Sequence, residues 1–397
     1  MSPKSKFYSF IPKDEKLSKT YEKYLKVTDI LPVNSVGIVT SRDNFVIDFN
    51  KDSLKARIME FRNKAVSNEI IRKSFNLKDK SNWKLKEKRE KIIDDKDWVN
   101  AFSRILYRPF DIQWIFHHDN VVERSRREVM RHMTHENLGL ITNRQVNREF
   151  RHTLCSSILI NDCTVSLETK ERSYLFPLYL YPERNNSKKR SSSSTMMLFE
   201  PKADYNVKRP NLSKALLEQL TMNFKKEPIP EQIFYYIYAV LYSNIYRSRY
   251  SEFLKIDFPR IPFPKDFKLF QKMSDMGKKL TELHLLKSKS LSNPISKFQG
   301  DGTGIVEKPE YYEKEKKVLI NKEQYFEGIV KEVWEYQIGG YQVCDKWLKD
   351  RKGKSLTLDD IRHYCKVVTA LKKTIEIQKK IDNLYPSIEK ELVEFEH

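Results

Sequence analysis

Glycine is scarce in this chain, with 10 residues in 397. Phosphate-cradling folds need glycine-rich turns, because only a residue without Cβ lets the backbone close on the ligand. One glycine cluster exists, GDGTG at 300–304, in a polar stretch with no strand-like run before it. It reads as a loop rather than a cofactor site. GxxxxGK[ST] is absent, which excludes a P-loop. No Pro-Pro pair occurs, so the [Asn/Asp]-Pro-Pro-aromatic loop with which an amino-methyltransferase holds its target is missing, as is an FxGxG-like cofactor turn. Cysteine is equally rare. Cys155, Cys163, Cys344 and Cys365 form no CxxC pair, and a disulfide framework is excluded for a chain of this size. No run of 18 apolar residues is present, so no membrane-spanning helix is expected. The opening MSPKSKFYSFIPKDEK lacks an apolar signal core, and a cytoplasmic location is expected.

What the chain has in excess is positive charge. Lys and Arg number 74 against 54 Asp and Glu, a net charge of +20. An imbalance of that size implies a polyanionic partner, nucleic acid first. A basic membrane-surface protein would need an amphipathic anchor helix or a lipid signal, and neither is visible. Hydrophobic residues make up 39% and aromatics 12%, enough for a packed core and against disorder. The length suggests about two or three domains.

Along the chain, residues 1–105 form a connector. Two short strands are expected in SVGIVTSRDNFVIDF (35–49), with Asp43-Asn44 turning between them, and a helix over 53–76. Residues 106–182 form the first part of a mixed β-containing module. Its strands are expected at IQWIF (112–116), LGLIT (138–142), SILI (157–160) and YLFPLYLY (174–181), with a helix from Val122 to Met133. The polar stretch at 183–199 reads as a linker. Residues 200–290 read as helical, with Pro230 at a helix start, and FLKIDFPRIPF (253–263) is broken by Pro259 and Pro262. Residues 300–397 carry a short β segment around VLI (318–320) and WEYQIGGYQV (334–343). C-terminal helices follow, with Thr357 as N-cap and Ile361, Tyr364, Val368, Leu371 and Ile375 on one face. The expected class is α+β: a β-containing recognition module, helical subdomains and a C-terminal helical bundle.

Two ligand-like pairs, His132-x2-His135 and His152-x2-Cys155, have zinc-like spacing, but they lie in segments of different type. They read as polar surface and helix-end residues, and no metal site is assigned. Acidic–lysine combinations such as Asp14-Glu15-Lys16 arise by chance in a chain this charged. No catalytic residue is assigned. The basic signal is concentrated instead. Arg124, Arg126, Arg127 and Arg131 precede Arg144, Gln145, Asn147, Arg148 and Arg151. Arginine forks fit guanine edges and phosphates, and Gln or Asn fits adenine. Lys349, Arg351, Lys352 and Lys354 make a second basic edge. A solvated basic face explains either group equally well from composition alone.

Specific motifs tip that balance. YRPFDIQWIF (107–116), RREVMRHM (126–133), NLGLITNRQ (137–145) and FPLYLYP (176–182) resemble the C-terminal specificity region of type ISP, and type IIG-like, restriction-modification enzymes. The resemblance continues through YAVLYSNIYRSRYSEFLKIDFPRIPF (238–263), LHLL (283–286) and VWEYQIGGYQVCDKWLKDRKGKSLTLDDIRHY (333–364). SVGIVTSRDNF (35–45) resembles the passage downstream of the methyltransferase part. It implies sequence-specific recognition of double-stranded DNA. It also implies adenine N6 methylation and cleavage by a methyltransferase and nuclease-translocase part that lies upstream in such enzymes. S-adenosylmethionine would then bind that partner, not this chain. Arg124, Arg126, Arg127, Arg131, Arg144, Gln145, Lys349 and Arg351 are the expected DNA contacts. Within the motifs, Tyr107, Pro109, Phe110 and Trp114 read as core, and Arg108 and Asp111 are placed to pair across the turn. Arg260 is either structural or on phosphate, and Gly339-Gly340 admit a close backbone approach by protein or DNA. A non-specific nucleic-acid-binding remnant or scaffold and a divergent nuclease are the alternative readings.

Overall fold

The computed structural model describes residues 15–168, 170–182 and 208–395; the linker expected at 183–199 lies outside them. The YRPFD motif makes a hairpin. Phe102–Arg108 and Asp111–Phe116 run antiparallel with Leu106 opposite Ile112, and the register shifts before the Arg108–Asp111 pair. Phe110 takes the left-handed conformation (φ 60°) that lets the chain reverse while its ring stays in the core. Ile47–Asp48 adds to one edge of this hairpin and Leu159–Ile160, running parallel, to the other. A second four-stranded sheet, all antiparallel, is ordered Ser35–Val36, Ser173–Pro177, Gly139–Asn143 and Thr153–Ser156. Gly139–Asn143 is buried at every position, as its unbroken LGLIT run requires. A bridge between Ile38 and Asn161 ties the two sheets.

Three local expectations are corrected. Asp43 begins a helical turn, Asp43–Val46, rather than a hairpin turn, and Ile47 passes to the other sheet. The helix over 53–76 divides into Lys51–Arg62, capped by Asn50, and Asn68–Ser74, capped by Ser67. Ser67 accepts the Ile70 N–H, a group that a continuous helix would not leave free. The helix from Val122 to Met133 shrinks to Arg127–Met130 and a 3-10 turn, Arg131–Thr134. Arg126, at φ 53°, cannot continue a right-handed helix.

The helical half follows the sequence more closely. Pro230–Tyr242 starts on its proline and packs against Phe267–His284. The two approach closely at Gly277, where a Cβ would stand 1.8 Å from the Tyr235 carbonyl. The proline-broken segment gives Arg260–Ile261, which pairs antiparallel with Leu25–Lys26. Arg260 is structural there: its Nη1 donates to the carbonyls of Tyr24 (2.7 Å) and Glu22 (3.2 Å).

Lys297–Gln299, Tyr325–Glu327, Lys317–Leu319 and Glu310–Tyr312 form a small antiparallel sheet. The terminal helix Leu358–Ile388 is 31 residues long and opens on a capping box between Thr357 and Asp360. It joins two hydrophobic cores. Tyr364, Val368 and Leu371 lie in the core under the sheets, and Ile381, Tyr385 and Ile388 in the core of the helical half. Each core draws on segments far apart in sequence, so the N-terminal connector packs into the fold.

Candidate nucleic-acid interface

The strand Gly139–Asn143 delivers the chain into an exposed loop that carries Arg144, Gln145, Asn147 and Arg148. Val146 and Phe150 are buried and pin this loop from below. Arg144 Nε lies 3.5 Å from Asp257 Oδ1, and Gln145 Nε2 donates to the Ile256 carbonyl at 3.4 Å. These long contacts leave both side chains free to turn.

The loop is held by a buried carboxylate. Glu171 Oε1 accepts the Asn147 N–H at 2.5 Å, and Oε2 accepts His152 Nε2–H at 2.9 Å and the Ser166 hydroxyl at 2.6 Å. Burial alone would raise the Glu171 pKa. The donors from His152, Asn147 and Ser166 together outweigh it and hold the carboxyl at about 2.

Arg151 closes the loop. Its Nη2 donates to Glu149 Oε2 (2.6 Å) and its Nη1 to Gln337 Oε1 (3.2 Å). Gln337 begins the hairpin Gln337–Ile338/Tyr341–Gln342. Gly339 turns it at φ 58°, with its N–H on the Arg151 carbonyl (2.8 Å), and a Cβ there would stand 1.8 Å from the Val165 carbonyl. The close approach expected of these glycines is therefore to protein. The Arg151–Gln337 contact divides two cavities of 680 and 570 Å³ that share Glu149, Arg151 and Gln337. Together they make a polar trench beside the Arg144–Arg148 loop.

The first arginine group sits elsewhere. Arg124 is exposed, its backbone paired with Val39. Arg127 is exposed, with Nε 2.8 Å from Asp119. Arg126 and Arg131 are half-buried, and their Nε atoms have no partner among the described residues. Arg131 Nη1 donates to the Tyr181 carbonyl at 2.8 Å, beyond the Gly139 end of the strand, whereas Arg144 and Gln145 follow Asn143. Arg131 and the Arg144–Gln145 pair thus stand at opposite ends of one sheet.

On the second basic edge, Lys349 is exposed and 2.6 Å from Asp345. Lys352 and Lys354 are exposed as well. Arg351 is not: it is 6% exposed, its carbon Cζ stands 3.5 Å over the Trp347 ring, and Nη2 donates to Asp111 at 2.8 Å. The pairing expected between Arg108 and Asp111 is not made. Arg108 Nη1 donates instead to Asn161 Oδ1 (3.0 Å) and the Tyr107 carbonyl (2.6 Å).

The zinc-like pairs do not converge. His132 Nδ1 accepts the Tyr181 N–H (3.0 Å), and burial lowers its pKa to about 4. His135 stacks on Tyr181 with ring centres 4.4 Å apart. His152 is engaged by Glu171, and burial raises the Cys155 thiol to about 12. Among the described residues no group of three or more His, Cys, Asp or Glu is placed to hold a metal ion. Nor, among them, is any helix long and apolar enough to cross a membrane. Glu171, Gln337 and Arg247, which shape the trench, receive no role from the sequence, although Arg247 and Gln337 lie within the motifs at 238–263 and 333–364.

Comparison with known proteins places this arrangement. The family described as the Type ISP C-terminal specificity domain matches residues 29–380. Three solved structures share the fold. A nuclease-deletion mutant of the Type ISP restriction-modification enzyme LlaGI, in complex with a DNA substrate mimic, aligns over 91% of this chain at 19% identity and TM-score 0.64. The ATP-dependent Type ISP restriction-modification enzyme LlaBIII, bound to DNA, aligns over 91% at 18% identity and TM-score 0.67. A DrdV–DNA complex aligns over 89% at 20% identity and TM-score 0.68. This chain spans 29%, 24% and 36% of those chains, respectively. No protein of curated function matches it significantly. With the family match running through both sheets and most of the terminal helix, the chain belongs to the Type ISP C-terminal specificity domain family.

Proposed function

We propose that this chain recognises a specific sequence in double-stranded DNA and supplies target recognition to a restriction-modification system. Membership of a specificity-domain family carries the reading. The net charge of +20 and the likeness of fold to enzymes solved with DNA support it. Lys and Arg contacts to phosphate give salt-sensitive affinity, and a few side chains at base edges give specificity. Arg144 and Gln145, exposed and loosely held, are the base-reading pair. Arg124, Arg127 and Lys349 are exposed phosphate contacts, with Arg126 and Arg131 shaping the surface beside them. Arg351, buried against Asp111, braces the basic turn rather than touching DNA.

Methylation of adenine N6 and cleavage belong to a methyltransferase and nuclease-translocase partner, covalent or separate, working in the cytoplasm. S-adenosylmethionine binds there. The division at 1–105, 106–182, a linker at 183–199, 200–290 and 300–397 is retained as a proposal for the parts of the recognition chain.

The test is selection from a randomised duplex library at about 150 mM salt, where non-specific phosphate binding is weakened. Enrichment of one short sequence is expected. Retention without enrichment, or metal-dependent cleavage by the isolated chain, overturns the reading.

A further inference from the structure

Arg247 lines the 680 Å³ cavity of the trench together with Glu149, Phe150 and Arg151, which follow the Arg144–Arg148 loop. It belongs to the helix Asn244–Arg249, and its Nε donates to the Leu241 carbonyl at 2.6 Å. Its guanidinium lies 4.8 Å from the centre of the Tyr242 ring. Among the described residues, no carboxylate pairs with it and no acceptor takes its Nη hydrogens.

Three other inward-turned arginines have acceptors for their forks, although the Nε atoms of Arg108, Arg126 and Arg131 lack a partner among the described residues. Arg351 has Asp111, and Arg42 has Glu123. Arg89, which has no carboxylate, donates to the carbonyls of Phe61, Asn63 and Val66 and to Asn68 Oδ1, each at 2.7 Å. A guanidinium keeps its charge at any accessible pH, so an unanswered one facing a cavity asks for an anion.

The surroundings agree. Arg151 stands on the cavity wall, and its charge adds to that of Arg247. Two of the acids at the cavity are already engaged: Glu149 by Arg151, and Glu332 by Lys372. Glu335 is exposed and lies close enough to Lys331 to raise its pKa. Tyr336 donates to Gln378 Oε1 at 2.9 Å, and Gln378 Nε2 donates to the Tyr242 carbonyl at 3.1 Å, which fixes one wall. The volume lies within the range of small-ligand sites, about 300–1,000 Å³. A phosphate oxygen pair matches the planar fork of a guanidinium.

We propose that this cavity binds a nucleotide phosphate, held on Arg247 and closed over by Arg151. The Arg151–Gln337 contact opens to admit it. Two sources present this chemistry, a backbone phosphate of a DNA strand lying along the trench and a free nucleotide. The first rests on the DNA-recognition reading, and the second does not.

The experiment is calorimetric titration of the full chain with adenosine 5′-monophosphate at low salt, with Arg247→Gln and Arg151→Gln compared, and competition against a fluorescent duplex. One nucleotide per chain is expected, bound roughly tenfold more weakly by each variant, the loss that follows from removing one charge-assisted contact. Displacement of the nucleotide by duplex assigns the site to strand phosphate. Simultaneous binding of both assigns it to a free nucleotide. Either supports the site. No binding by the wild-type chain, or wild-type affinity in folded variants, overturns it. If Arg247→Gln does not fold, Arg151→Gln, at a partly exposed wall position, decides alone. Failure of duplex binding with nucleotide binding intact counts against DNA recognition and leaves this site standing.

Discussion

Arg351 and Asp111, 240 positions apart in the sequence, are joined by a buried hydrogen-bonded ion pair of 2.8 Å. Their side chains are 7% and 1% exposed. Asp111 also accepts Gln113 Nε2 at 2.6 Å, and Arg351 Nε reaches Asp360 at 3.6 Å. The turn of the YRPFD hairpin is thereby locked to the start of the terminal helix. A basic residue expected on the DNA-facing edge instead ties the hairpin to the C-terminal segment around one shared core.

Replacing Arg351 with Met leaves the Asp111 charge buried without its partner. We expect a loss of about 3–5 kcal/mol in unfolding free energy, the usual cost of orphaning one member of a buried pair. Urea denaturation measures it. Asp111→Asn in the same chain restores part of the loss, and full additivity of the two changes contradicts the pairing.

Arg144→Ala and Gln145→Ala relax specificity at one position of the recognised site each, by about 1–3 kcal/mol of discrimination. Stability stays within about 0.5 kcal/mol, since both side chains are exposed. Arg127→Ala and Lys349→Ala weaken binding to all duplexes alike and lower the slope of log K against log salt by about 1. Arg126→Ala gives a shallower salt slope or a relaxed preference. Library selection and salt titration separate these outcomes, and unchanged preference in both loop variants removes Arg144 and Gln145 from the reading set.

Gly339→Ala forces a methyl group to within 1.8 Å of the Val165 carbonyl, on a backbone at φ 58°. The hairpin has to move off the sheet segment it rests on. We expect a loss of about 1–3 kcal/mol from the strained conformation alone, with the two trench cavities deformed. Gly353→Ala, at φ 77° with nothing within 4 Å of its Cβ position, carries the conformational strain without the clash, so the extra loss at Gly339 measures the clash. Thermal melting of the two variants gives the comparison.

His284 is fully enclosed between the helices. Tyr238 donates to its Nδ1 at 2.6 Å, and its Nε2–H donates to Thr374 Oγ1 at 2.9 Å, a tautomer set by the Thr374 hydroxyl donating onward to Ala370. Burial, with the Arg247 charge adding to it, lowers its pKa to about 3. The unfolded chain therefore binds this proton first, near pH 6.5. Stability from this group is fully present above that pH and is lost as pH falls from about 6.5 toward 3. Urea unfolding between pH 7 and 4 is expected to show the decline, and His284→Gln, weaker at pH 7, to show a flatter one. An equal slope in both proteins rejects the assignment.

Much of the helical half could be read from the sequence. The Thr357–Asp360 capping box, Pro230 at a helix start and the prolines at 259 and 262 are local signals, enforced within a few residues of where they stand. The strands LGLIT and IQWIF were equally plain from their apolar and β-branched content, although only the first strand, Gly139–Asn143, is buried throughout, Ile112 of the second being exposed. The helix expected over Val122–Met133 failed because the Arg124 backbone pairs with Val39 and Arg126 turns left-handed, and neither carries a local signal.

The site was legible only as composition. That the chain carries the charge to suit a polyanion follows from its composition, and its family from motifs spread in order along its length. Those are properties of residue content and sequence order, and the sequence by itself determined them. Which arginines stand in the open, which brace the core and which face an unfilled cavity was decided by tertiary structure. Arg144, Arg351 and Arg247 are chemically identical. A guanidinium is told apart only by what lies within about 4 Å of it. For Arg351 the partner is Asp111 and for Arg144 it is solvent and Asp257, neighbours far away along the chain that folding alone brings near.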